Sequence, residues 1–346
     1  MIIPKKQSLI ALTYFLIAAV LGIVLRLFPI TDFDATYRFI VHTHSHIALL
    51  GWVYISLTTL LFHLFVTNEA KKKYTYIFWS TQITIIGMLL SFPFIGYALF
   101  SILFSTLFIL CSNWFLYFFK KNNHCDTTKA SYKFVYTSLV FMVVSSIGPW
   151  ALGAIMDTLG TTSHWYKNAI YFYLHFQYNG WFVFCLLGLF IYFLENQYSN
   201  IPQNKLKLFY KLMLWSCILT LGLSFLWINP PIWMYGISTI GAIIQCLAVF
   251  VFFNILRKYQ KQQNKSSFTY KSLKFILLLF FIKVVLQLTT SIPFFAELTF
   301  RIVDFVIGYL HLVFLGIVSI SILILLKHYQ LLIVSNIWIK LYLYGF

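Results

Sequence analysis

"VHTHSHIALLGWVYISLTTLLF", residues 41–62, decides the class of this protein. From Ile47 onward the stretch has no charged residue, and at about 20 apolar residues per bilayer crossing it reads as most of a membrane span. Three imidazoles, His42, His44 and His46, stand at every second position at its mouth. Ionisable side chains are costly inside a bilayer, and where they occur they face the bundle interior with a partner. The placement therefore asks for a function.

Composition extends the reading to the whole chain. Of 346 residues, 61% are hydrophobic, 21% aromatic and only 10% charged, which lies outside the range of soluble domains. Apolar runs predict about ten transmembrane helices, near 8–29, 43–66, 74–93, 97–119, 133–156, 170–194, 207–228, 233–255, 272–296 and 302–326. The expected fold is an all-α polytopic membrane bundle, with residues 1–346 as a single integral membrane domain. The charged N-terminus with Lys5 and Lys6 leads into an apolar run too long for a signal-peptide core, so it reads as a retained first span. After His328, "LLIVSNIWIKLYLYGF" is too short to cross comfortably and reads as an interfacial segment or the stump of an eleventh helix.

The net charge of +17, from 25 Lys and Arg against 8 Asp and Glu, lies in short segments between spans rather than in a groove or stripe. A nucleic-acid partner is therefore not expected, and the lipid bilayer is. Cations occupy the N-terminus and the loops after spans two, four, six and eight: Lys71 to Lys73; Lys120, Lys121 and Lys129; Lys205, Lys207 and Lys211; and the stretch from Arg257 to Lys274. Alternate loops hold Asp32, Asp34, Asp157, Glu297 and Asp304. Cations stay on the cytoplasmic side, so the pattern predicts both termini inside the cell and a location in the cytoplasmic membrane. Five cysteines, scattered and mostly within apolar runs, suggest neither a disulfide framework nor a CxxC site.

Three segments share a layout: "HIALLGWVYISLTTLLF" from His46, "HFQYNGWFVFCLLGLF" from His175 and "HLVFLGIVSISILILL" from His311. Each has His, four residues, then Gly, and the histidines are 129 and 136 positions apart. That spacing is about four short helices, so the three fall on spans two, six and ten, and they divide the chain into pseudo-repeats of about 1–119, 132–255 and an incomplete 272–346. Arg38, Lys167 and Asp304 precede them by 8, 8 and 7 positions. The rise of 1.5 Å per residue then sets each imidazole roughly 10 to 12 Å inward, in one layer of the outer half.

In these segments, and in the order of its helices, the chain resembles subunit I of the haem-copper oxidase and nitric oxide reductase superfamily. "SSIGPWALGAI" before the sixth span is also similar to that superfamily. The resemblance implies three sets of four helices. His46 and His311 match the axial pair of a low-spin haem, of b type, and His175 matches a copper ligand. It also implies electron-transfer or oxidase-like partner subunits, and haem propionates near Arg26, Arg38 and Arg301. The departures bear on activity. The seventh span, "LFYKLMLWSCILTLGLSFLWI", lacks the family's histidine pair, the tenth offers "YLH" in place of His-x-His, and no acidic residue sits mid-span. A complete terminal oxidase is not expected. The implied role is haem binding, with copper as a second candidate cofactor, in electron transfer, metal handling or gas sensing.

Plainer readings stand beside these. His46 and His311 also suit a polar pair bonded between helices, and His175 with Gln177, Tyr178 and Asn179 suits a plain polar cluster. A copper entry site at His42, His44 and His46 needs a non-helical start, because in a helix His42 and His46 share a face and His44 points away. Interfacial anchoring accounts for the three arginines. Lys283 lies too deep in the ninth span to snorkel, with Gln287, Thr289 and Thr290 nearby. A structural hydrogen bond and a polar path for protons or a ligand are both open there. A cofactor-free transporter or structural membrane protein is the alternative function.

Overall fold

The structure, a computed structural model, describes residues 3–198, 200–260 and 268–346. Lys261 and Lys265, within the expected cytoplasmic loop between spans eight and nine, lie outside the described residues. Every regular element is helical, and among the described residues the only β-type pairing is an isolated bridge between Val66 and Asn123. Among the described residues ten helices are long and apolar enough to cross a membrane: Pro4–Leu27, Tyr37–Phe65, Asn68–Ile95, Leu99–Asn122, Ala130–Thr158, His164–Gln197, Gln203–Ile228, Ile232–Arg257, Tyr270–Thr289 and Val303–His328. The protein is an all-α integral membrane protein whose ten spans follow the ten apolar runs in order.

The ninth span stops earlier than its hydropathy suggests. It ends at Thr289, and Pro293 starts a separate helix, Pro293–Arg301, because proline suits a first helical turn and not an interior one. The apolar tail forms a ten-residue helix, Asn336–Gly345, whose Tyr342 hydroxyl donates to Leu315 O at 3.0 Å on the tenth span. Local signals set other boundaries. The Ser163 hydroxyl caps the sixth span by accepting from Trp165 N at 3.2 Å. The third span closes on Gly96, with φ +56° and a ring atom of Phe39 only 2.3 Å from where a Cβ would stand. Between spans four and five, the Asp126 carboxylate accepts from the amide and the hydroxyl of Thr128, both at 2.8 Å, which holds its pKa below the usual carboxylate range.

The described residues gather into two compact units, one of residues 1–125 and 325–334, the other of 126–324 and 335–346. In the first, the first span packs on the second and the third on the fourth; in the second, the fifth packs on the sixth, the seventh on the eighth and the ninth on the tenth. The three histidine-bearing spans are the most enclosed. Of their most apolar stretches 89%, 83% and 67% is buried for spans two, six and ten, against 50% or less for the other seven. An apolar helix that is buried all round is a central one.

Candidate functional site

Each of the three histidines is the last residue of an α-helical segment, and each is followed at once by π-helix. The α segments are Tyr37–His46, His164–His175 and Val303–His311. The π segments are Ile47–Tyr54, Phe176–Phe182 and Leu312–Ser319. Hydropathy alone gave no sign of them. π-helix is rare, and where it occurs it tends to mark functional sites.

The glycine five residues after each histidine lies inside its π segment, pressed by the preceding span of the same pair. A Cβ on Gly51 would come within 2.7 Å of the Tyr14 ring, one on Gly180 within 2.7 Å of Phe141, and one on Gly316 within 2.9 Å of Leu279, with Phe346 of the tail at 2.5 Å. Tyr14, Phe141 and Leu279 belong to spans one, five and nine. In all three places His-xxxx-Gly thus coincides with a widened helical turn and a close helix contact.

His46 and His311 share one hydrogen-bond geometry. The Nδ1 of His46 is 2.8 Å from His42 O, and the Nδ1 of His311 is 2.8 Å from Ile307 O, the carbonyl four residues back in each case. A carbonyl only accepts, so the network assigns the proton to Nδ1 and the lone pair to Nε2. A second-sphere carbonyl on Nδ1 is how metal-bound histidines are commonly oriented. The Nε2 of His46 has the Tyr97 hydroxyl at 3.4 Å, and its ring lies 4.5 Å from Phe92.

The other two mouth histidines part company. His42 meets the edge of Tyr97, with ring centroids 4.6 Å apart, on the side that His46 also faces. His44 turns to the first span, where its Nδ1 meets Ala18 O at 2.9 Å. Since Tyr37–His46 is α-helical, the three imidazoles do not converge. Among the described residues no group of three His, Cys, Asp or Glu side chains is disposed to hold a metal ion. Arg26 and Arg38 are exposed at the ends of spans one and two. Arg301 pairs with Glu297 at 2.5 Å on an exposed helix face, a contact typically worth about 0 to 1 kcal/mol.

His175 is built differently. Its Nε2 donates to Cys217 O at 2.8 Å, across to the seventh span, and its Nδ1 accepts from Asn179 Nδ2 at 3.3 Å. Both ring nitrogens are engaged. Asn179 in turn offers Oδ1 to Lys283 Nζ at 2.6 Å, and Lys283 also donates to Gln287 Oε1. The ammonium is fully buried and lies 5.8 Å from the face of Phe280. A continuous polar chain, from Gln287 through Lys283, Asn179 and His175 to Cys217 O, therefore joins spans nine, six and seven. No acidic side chain takes part. Gln287 was legible as a partner of Lys283 from their spacing of four residues, and Asn179 as a neighbour of His175. The bond between Lys283 and Asn179, 104 residues apart, was not. Thr289 and Thr290 instead bond carbonyls of their own helix, Leu286 O and Gln287 O.

No protein-family model matches the sequence, and the comparison with curated proteins returns no match.

Proposed function

We propose that this chain is a haem-binding membrane protein similar to subunit I of the haem-copper oxidases, with His46 and His311 as donors to the iron. Its role on this reading is electron transfer, metal handling or gas sensing rather than oxygen reduction by a complete oxidase. The supporting observation is the shared geometry of the two imidazoles, each with Nδ1 on its own helix carbonyl at 2.8 Å and so with Nε2 as the basic nitrogen. The donor chemistry fits a haem, for which neutral imidazole is a common axial ligand. Such a haem supplies one-electron reduction and oxidation. The chain's part is to fix the tautomer and the ring plane of both ligands, and at His46 to flank the ring with Phe92 and Tyr97. His175 suits copper less, since its Nε2 is held by Cys217 O at 2.8 Å and its Nδ1 by Asn179, whereas among the described residues the Nε2 of His46 meets only the Tyr97 hydroxyl at 3.4 Å. The cation-bearing loops support a cytoplasmic location for both termini, in the cell membrane.

The test is a reduced-minus-oxidised absorption spectrum of the purified chain. Low-spin haem bands that vanish in both His46→Ala and His311→Ala bear the reading out; a flat trace from protein purified out of haem-supplemented cells overturns it. A second reading, a cofactor-free transporter, is favoured by one observation: the fully buried Lys283 with its amide partners, because an ionisable group held inside a membrane span is seldom without a role.

A further inference from the structure

A cavity of about 140 Å³ opens among spans six, eight, nine and ten, all within the second unit. Val183, Leu187, Phe190 and Leu194 line it from the sixth span, at the three- and four-residue spacing of one helix face. Leu277 and Phe280 face it from the ninth. At the end where the sixth span finishes and the ninth begins, the lining turns polar, with Tyr198, Tyr270 and Lys274. Ser321 of the tenth span interrupts the apolar wall. It is fully buried, and its Oγ has no hydrogen-bond partner among the described residues. Buried hydroxyls are almost always paired, so this one points to an acceptor brought by a ligand.

We propose that the cavity is a binding site for an anionic diacyl phospholipid, with its phosphate at Lys274, an ester carbonyl accepting from Ser321, and one acyl chain laid along the sixth span. Three observations carry this. The wall is apolar over the stretch from Val183 to Leu194, roughly 16 Å at 1.5 Å per residue, about half of the roughly 30 Å hydrocarbon core and hence one leaflet. Ser321 lies seven residues before the end of its span at His328, roughly 10 Å in; with roughly 5 to 7 Å of headgroup region on each side of the core, that is the level where ester groups give way to chains. The mouth carries a cation and two tyrosines, the side chains that favour the interface, and Lys271, Lys205 and Lys207 lie on the adjoining span ends, so anionic headgroups are preferred over zwitterionic ones. The volume holds a segment of chain, since a cavity of about 150 Å³ takes up a benzene; the rest of the lipid stays in the bilayer.

The test uses the full chain in nanodiscs containing either phosphatidylglycerol or phosphatidylcholine with a photoreactive diazirine in the acyl chain, followed by mapping of the labelled peptides. Label from phosphatidylglycerol is expected on Val183–Leu194 and Leu273–Phe280, several-fold above the exposed apolar face at Leu16 and Ile23, and above label from phosphatidylcholine. Lys274→Glu, at an exposed position, should bring the two lipids to equal yield, and Ser321→Ala should lower both, because the ester is common to them. Label spread evenly over the exposed apolar faces, or a ratio between the lipids that Lys274→Glu leaves unchanged, overturns the proposal.

Discussion

His46 and His175 begin the same short code, His-xxxx-Gly, end the same kind of α segment and open the same kind of π segment, yet their imidazoles do opposite work. At His46 the ring is tied to its own helix through Nδ1, so its tautomer is fixed locally and Nε2 faces outward toward Tyr97. At His175 the ring is 5% exposed and ties its helix to another through Nε2, while Asn179 and Lys283 extend the chain of bonds. One is bonded within its own helix and the other is a brace between two. A motif thus sets the position and backbone of a side chain, and the neighbouring helix sets its hydrogen-bond partners.

The contrast breaks most visibly in a spectrum. On the proposed haem reading, His46→Ala should remove the low-spin signal completely, and His175→Ala should leave its band positions and amplitude per folded protein unchanged. Loss of the signal in both would make the two sites alike.

Stability should show the reverse order. Truncating His175 leaves a cavity, strands Asn179 Nδ2 and leaves Cys217 O with the longer bond from the Thr220 hydroxyl at 3.4 Å, a cost of about 2 to 4 kcal/mol. At the half-buried His46 the loss should stay under about 1 kcal/mol. Thermal unfolding in detergent, followed by a fluorogenic reagent reacting with the buried thiols Cys185 and Cys217, measures both.

The feature the two sites share is tested by glycine replacement. Gly51→Ala and Gly180→Ala each drive a methyl group to within 2.7 Å of Tyr14 or Phe141, an overpacking cost of about 1 to 3 kcal/mol. Gly153→Ala and Gly236→Ala, with nothing within 4 Å, should be neutral or slightly stabilising on the same assay. Equal costs at all four positions would show that the π segments do not depend on the close contact.

The smallest effect expected is the coupling of the brace to the buried lysine. A double-mutant cycle of Asn179→Leu and Lys283→Met should give an interaction of about 0.6 kcal/mol, up to about 1.7, the range for polar pairs within membranes. A value near zero would detach Lys283 from the His175 chain.

Legible in the residues alone are the number and order of the spans, the loops in which cations collect and the positions of the three histidines on spans two, six and ten. These follow from quantities summed locally: an apolar run either is or is not long enough to cross the core, and His-xxxx-Gly is read within six residues. Even there local chemistry intervened, since Pro293 cuts the ninth apolar run into two helices. The fold alone reveals that each motif widens into π-helix and that its glycine meets a side chain of the span before it: Tyr14 for Gly51, Phe141 for Gly180, Leu279 for Gly316. It alone decided which nitrogen of each imidazole is engaged, and it paired Lys283 with Asn179. A hydrogen bond is fixed by the position of its partner to a few tenths of an ångström, and in this chain those partners lie up to 104 residues away.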